Sequence, residues 1–380
     1  MKKYRLLTPG PTEVPEAALL KLAKQVRHHR TPEFRAIFSE VVDGLRYLFD
    51  TLNDIVVFAS SGTGAMEAAV ANVVGQGDRA IVLASGKFSE RWGTLCRRFG
   101  AEPICLEVPW GECFTPRQLE AAIRKHPDAI AVYATLTETS TGVQHDIEAL
   151  GKVVKKTSAL FVVDGISSVG AVECRTDAWG IDLLAVGSQK ALMGPPGLSF
   201  LAISAAAWAR IEKVDRKTFY FDLAAYRKSA QLQDTPYTPA RSLLEALAEN
   251  LKSMRRIGRE AIWSEVEILA RATQEGLKAL GLRLVAERPA ASFTAAYLPE
   301  GIGANRILGE LEELYGVKLA GGQGPLSGRI LRLAHMGTTD RLDVISALAA
   351  LELVLYKAGW DRPLGTAVSA AMKTFAAASD

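Results

Sequence analysis

The sequence predicts an α/β fold: a large domain on a mostly parallel sheet, followed by a smaller α+β domain. Three observations carry this. From residue 55 to 203, apolar strand-like runs alternate with loops and helix-like stretches. That order builds parallel sheets with their loops gathered at the strand ends. A long, charged, amphipathic stretch at 251–280 then bridges onward and stops at Gly281, a residue suited to a helix C-terminus. Beyond it, residues 283–360 alternate strand-like runs (A-S-F-T-A-A-Y-L, R-I-L-R-L-A-H-M-G) with helices near 305–315 and 340–356. At 380 residues the chain is too long for one compact core. It divides into an N-terminal arm (1–20), a large domain (21–255) and a small domain (256–380).

Composition removes several function classes. Hydrophobic content of 48% and charged content of 23% are globular averages. A net charge of +3, scattered along the chain, offers no footprint for nucleic acid or a membrane surface. Cys96, Cys105, Cys113 and Cys174 form no C-x-x-C pair, and no H-E-x-x-H is present, so a metal site has no support. The start, M-K-K-Y-R-L-L-T-P-G-P, lacks the apolar core of a signal peptide. No apolar run approaches the ~20 residues that span a bilayer. A soluble, cytoplasmic protein is expected.

Taken in order, residues 6–14 cannot be helical, with Pro9, Gly10 and Pro11 in succession. Pro32, after His28-His29-Arg30-Thr31, suits the first turn of a helix. A strand at 55–59 runs into S-S-G-T-G-A-M-E-A-A-V. Small residues at such a turn expose backbone N–H groups to a phosphate, and the helix field assists. The dinucleotide pattern G-x-G-x-x-G fails, because Glu67 holds its third position. A strand at 79–83 precedes A-S-G-K-F-S-E-R-W, which places Phe88 just past its end. A strand at 129–135 leads into the hydroxyl-rich turn T-E-T-S-T-G-V, and a helix near 147–156 follows.

Residues 160–170 (L-F-V-V-D-G-I-S-S-V-G) read as a buried strand ending in Asp164. The apolar run at 181–186 then delivers Lys190 into A-V-G-S-Q-K-A-L-M-G-P-P-G, a loop by its glycines and prolines. A lone lysine there is a surface charge. This one has Ser188 and Gln189 before it and Ala191, Leu192 and Met193 after it. Partial desolvation lowers its pKa and frees the amine to attack a carbonyl. That predicts a Schiff-base lysine. Asp164 reads either as a turn or helix cap, or as the carboxylate that keeps the pyridine nitrogen of pyridoxal phosphate protonated.

V-D-G-I-S-S-V-G and G-S-Q-K-A-L resemble the class V aminotransferases, most closely their alanine–glyoxylate and serine–glyoxylate or serine–pyruvate branch. The resemblance runs over nearly the whole chain. It implies the type I fold of pyridoxal-phosphate transferases, with a seven-stranded-type sheet and a small C-terminal domain. It implies Lys190 and Asp164 as catalytic residues. Ser61, Gly62 and Thr63, in the motif S-G-x-x-A-x-E, would hold the cofactor phosphate. Phe88 would stack on the ring, and Thr139, or else Ser140, would bond its 3-oxygen or the nearby backbone. Ser188 and Gln189 would line the cofactor beside the lysine, and Gly10 of P-G-P would lie close to the substrate. The element T-P-Y-T-P-A-R-S-L would cross a homodimer interface, with Thr235, Tyr237 or Thr238 on the partner's cofactor phosphate. Arg241, Glu245 and Ala248 depart from the apolar residue, Tyr and Arg often found there.

Arg332, in an apolar strand, needs an anion. A structural salt bridge is one candidate; the resemblance implies the substrate α-carboxylate, held by the guanidinium fork. The implied reaction is transamination between alanine or serine and glyoxylate or pyruvate, in a homodimer with shared active sites. One alternative is a class V subunit that lacks turnover or has another specificity, as associated with soluble hydrogenases. A cysteine desulfurase or lyase is disfavoured, because all four cysteines precede Lys190 and Gln189 stands where a desulfurase carries His. The Ala- and Ser-rich tail from Gly365 is expected as a short helix or a frayed end.

Overall fold

The computed structural model describes residues 2–215 and 218–378. Its centre is a seven-stranded sheet in the spatial order Asp54–Phe58, Ser199–Ile203, Leu183–Gly187, Leu160–Asp164, Ala131–Thr135, Arg79–Ala84, Glu102–Glu107. Ser199–Ile203 is antiparallel to both neighbours and the other pairings are parallel. The central strands are buried along their whole length, as L-F-V-V-D, L-L-A-V-G and A-V-Y-A-T demand. Strands so uniformly apolar need cover on both faces. Helix Pro32–Phe49 covers one face with Phe34, Phe38, Leu45 and Phe49, joined by Leu244, Leu247 and Leu251 of helix Arg241–Ile257. Helix Gly62–Ala71, Trp92 and Tyr226 cover the other. Pro32 does open its helix, and the Thr31 hydroxyl accepts from the Phe34 N–H.

The single helix expected at 251–280 is instead two. Helix Arg241–Ile257 begins earlier and packs on Pro32–Phe49, while Arg259–Ala279 packs on helix Thr366–Ala377. They meet at Gly258, whose φ of +92° only glycine adopts readily. A three-stranded antiparallel sheet follows, with Ile330–Ala334 between Phe293–Tyr297 and Ala320–Gly321. Its core is built from Leu331, Leu333, Leu348 and Leu351. The tail is an ordered helix, Thr366–Ala377, because the buried carboxylate of Glu352 accepts from the N–H groups of Gly365 and Ala367 at its start.

Residues 5–12 are held at both ends. Arg5–Leu6 pairs in parallel with Val317–Lys318, and the Leu7 carbonyl accepts from the Ala334 N–H at 2.9 Å. Five residues on, Thr12 bonds the lysine loop: its N–H donates to the Gln189 carbonyl at 3.1 Å and its hydroxyl to the Lys190 carbonyl at 2.8 Å. Residues 5–12 are therefore a strap from the small sheet to Lys190. Among the described residues no helix is long and apolar enough to cross a membrane, and no group of His, Cys, Asp and Glu could hold a metal ion.

Candidate active site

The ends of five strands that run in the same direction, and the loops after them, carry the predicted residues: Ser61, Phe88, Thr139, Asp164 and Lys190. This edge of an open α/β sheet is where ligands bind, because the strands fix the loop roots while the loops vary. Asp164 is the last residue of its strand and 5% exposed; its carboxylate accepts from the Ile166 N–H at 2.8 Å. Burial pushes this carboxyl up to about 7, against the Ile166 bond, and the charge of Glu138 adds to the rise. Lys190 lies three residues past strand Leu183–Gly187, and its Nζ donates to the Pro9 carbonyl at 2.7 Å. Burial and the positive charge of Arg332 lower the amine to about 8, with Asp164 opposing. Gly10 has φ +117°, and a Cβ there would fall 2.3 Å from Nζ, so only glycine lets the strap pass over the lysine.

Arg332 is 5% exposed, and burial lowers its pKa to about 10 while Glu138 opposes. It meets no structural salt bridge among the described residues. Its Nε donates to the Gly321 carbonyl at 2.9 Å and Nη1 to the Thr139 carbonyl at 2.6 Å, both neutral acceptors. Helix Gly62–Ala71 starts at Ser61, which is extended and gives no side-chain cap, so its first N–H groups have no protein side chain to bond. A Cβ on Gly62 would lie 2.6 Å from Ile166, so the helix start and the Asp164 loop pack flush. Gln189 reaches the same place: its Oε1 is buried without a partner and would lie 2.9 Å from a Cβ on Gly187, itself 3.7 Å from the Gly62 Cα.

The side chains of the other predicted residues bond within their own surroundings. The Ser188 hydroxyl is spent on its own loop, donating to the Pro195 carbonyl at 2.6 Å and accepting from the Leu198 N–H. The Thr139 hydroxyl bonds Ser167. The Tyr237 ring stacks on Tyr220 at 5.1 Å and its phenol donates to the Phe219 carbonyl; the Thr235 hydroxyl donates to the Tyr237 carbonyl, and Thr238 is exposed. Arg241 and Glu245 pair at 2.7 Å, with Glu33 alongside, which explains their presence as local packing at a helix start. Sequence reasoning missed two residues. Glu138 is fully buried, its carboxylate accepting from the N–H groups of Phe88 and Ser89. Arg91 donates to the Thr63 hydroxyl at 2.9 Å and lies 5.2 Å from the Phe88 ring. Arg91 stands in the first turn of helix Glu90–Arg98, and the turn that ends at its N–H, bonded to the Phe88 carbonyl at 3.2 Å, brings it back over Phe88.

The family model for class V aminotransferases matches residues 6–326. The chain belongs to the class V aminotransferase family. A "soluble hydrogenase, small subunit" of Synechococcus is 39% identical, over 99% of each chain. A serine–glyoxylate aminotransferase of Methylorubrum extorquens is 31% identical over 97% of this chain and 95% of its own. Among solved structures, ureidoglycine–glyoxylate aminotransferase from Bacillus subtilis superposes with a TM-score of 0.92 at 29% identity, over 99% of each chain.

A class V aminotransferase works with pyridoxal phosphate, and the residues present fit that group. The uncapped helix start suits a phosphate. The unpartnered Gln189 Oε1 awaits a donor, and a carboxyl held near 7 by burial would ionise beside a cationic ring nitrogen. The sign of the Asp164 shift gives a test on cofactor-free protein. Its folded pKa is raised above the reference of 3.8, so the stability it contributes is complete below pH 3.8 and is lost as the pH rises through about 7. Asp164→Asn mimics the protonated acid. It is expected to match the wild type near pH 4 in urea unfolding and to exceed it by about 1–4 kcal/mol at pH 8. Equal stability at both pH values would show an ordinary carboxyl.

Proposed function

We propose that the chain catalyses pyridoxal-phosphate-dependent transamination between a small amino acid, alanine or serine, and a 2-oxo acid, glyoxylate or pyruvate. It does so as a cytoplasmic homodimer with shared active sites. The large unit (21–255) carries the cofactor and the small unit (256–380) carries Arg332. The observation that carries the reading is the half-buried Lys190 amine, held by the Pro9 carbonyl and lowered to about 8, with Asp164 and Arg332 acting on it from opposite signs of charge. Glyoxylate stands in the names of both the serine and the ureidoglycine relatives, which supports it as acceptor.

When bound, pyridoxal phosphate supplies an electron-accepting ring that lets the Cα–H bond of an amino acid ionise. The other work belongs to the chain. Lys190 would hold the cofactor through Nζ and, as a free amine, take the proton from the substrate Cα and return it. An amine near 8 suits this better than an ordinary lysine, being partly unprotonated at neutral pH. Asp164 would keep the ring nitrogen protonated, and Ser61, Gly62 and Thr63 would hold the phosphate, with Thr235, Tyr237 or Thr238 of a second subunit. Phe88 would cover the ring face. The carbonyls of Gly321 and Thr139 aim the Arg332 fork, whose Nη2 takes no protein acceptor among the described residues. That edge suits a substrate carboxylate.

The hydrogenase-subunit relative favours a second reading, a class V protein without turnover. One spectrum separates them. Alanine or serine should bleach the visible band of the cofactor-loaded protein, and glyoxylate should restore it; a band that no amino acid in a full panel alters would favour the non-catalytic subunit.

Arg332→Leu should keep the fold and the visible band but raise KM for amino and oxo substrates alike. A charge-assisted contact contributes about 1.5–3 kcal/mol, so each KM should rise about ten- to a hundred-fold. Arg332→Lys should recover only part, since an ammonium keeps the charge and loses the fork. A purely structural arginine would instead lower Tm and leave both KM values unchanged.

A further inference from the structure

We propose that Glu138 is the positioning residue of this site, holding the loop that carries Phe88 and the turn that carries Thr139 in one frame opposite Arg332. The proposal rests on the function given above and names the element that orients it. Glu138 is 0% exposed and has no lysine or arginine within 4.0 Å among the described residues. An unpaired buried carboxylate is costly unless dipoles replace its water. Here they do. Both oxygens accept from the Phe88 N–H at 3.2 Å, and Oε2 accepts from the Ser89 N–H at 2.8 Å and lies 2.8 Å from the Ser89 hydroxyl. Oε1 accepts from the Ser140 N–H at 3.0 Å and from its hydroxyl at 2.7 Å.

These bonds join segments about fifty residues apart in the chain. The Ser89 hydroxyl accepts from the N–H groups of Ser85 and Gly86, and the Ser140 hydroxyl accepts from the Lys87 N–H at 3.2 Å. A Cβ on Gly86 would fall 2.5 Å from the Ser140 Oγ and 2.7 Å from the Glu138 Cγ, so loop and turn are in contact throughout. Between Glu138 and Ser140 lies Thr139, whose carbonyl takes the Arg332 Nη1 bond at 2.6 Å. One carboxylate thus fixes the backbone of the ring-covering Phe88 and the acceptor that aims Arg332. Its charge also faces both Arg332 and Asp164.

A glutamine at 138 keeps the shape but turns an NH2 group toward donors, so several of these bonds cannot form together. In cofactor-free Glu138→Gln, amide exchange at Phe88 and Ser89 should speed by about tenfold or more, because their acceptor is weakened. Affinity for pyridoxal phosphate should fall by about tenfold or more, and the visible circular dichroism of the bound cofactor should change. A double-mutant cycle adds a readout that general destabilisation would not move. In a Phe88→Ala background the same change should cost little further affinity, because the two act through one contact. Unchanged exchange at residues 88 and 89, or fully additive losses, would overturn the proposal. If the glutamine variant fails to fold, Ser89→Ala, which keeps the charge and removes one hydroxyl, carries the same four measurements. Wild-type protein that takes up no pyridoxal phosphate defeats the proposed function itself. A wild type that binds it while Glu138→Gln binds equally well defeats the positioning role alone.

Discussion

Three buried groups, Glu138, Asp164 and Arg332, and the half-buried Lys190 act on one another at the strand ends, and none of them meets an opposite charge within 4.0 Å among the described residues. Direct pairing would be the stable arrangement for a merely structural cluster, since burial penalises every unpaired charge. The chain instead satisfies them with neutral groups: the Pro9 carbonyl for Lys190, the Ile166 N–H for Asp164, the Gly321 and Thr139 carbonyls for Arg332, and serine donors for Glu138. Charges kept apart in this way remain available to a ligand that carries complementary ones. Burial without a charged partner pushes Asp164 up to about 7 and Lys190 down to about 8.

The rest of the fold maintains the separation. Parallel strands fix the roots of the Ser61, Phe88, Thr139, Asp164 and Lys190 loops at one edge. Arg332 arrives from a different sheet, and the strap at residues 5–12 ties that sheet to the lysine loop through Leu7 and Thr12. Because the strap also supplies the Pro9 carbonyl, the position of the small sheet and the hydrogen bond to Lys190 are mechanically linked. Gly10 is the residue that permits this passage.

Much of this was legible before any coordinates. Asp164 ends a strand with an unmistakable apolar run, Lys190 and the Ser61 turn follow two others within four residues, and the sheet rule then brings strand ends together. Arg332 was legible as a charge in an apolar strand, though its two carbonyl partners were not. The hidden features depend on distant contacts or on a single backbone angle. Glu138 stands in a turn that reads as polar punctuation, and its significance comes from donors about fifty residues earlier. The strap is non-helical by Pro-Gly-Pro, but its partner strand lies more than three hundred residues away. The break at Gly258 falls inside a continuous amphipathic pattern, where an isolated glycine is ordinarily tolerated.

Chemical trapping tests most directly whether Lys190 is the residue that holds the cofactor. Protein saturated with pyridoxal phosphate is reduced with borohydride, digested, and its peptides are mapped by mass. One stoichiometric phosphopyridoxyl label is expected, on Lys190, absent from Lys190→Ala under the same conditions. A label on another lysine, or none on a protein that has taken up the cofactor, would contradict that role.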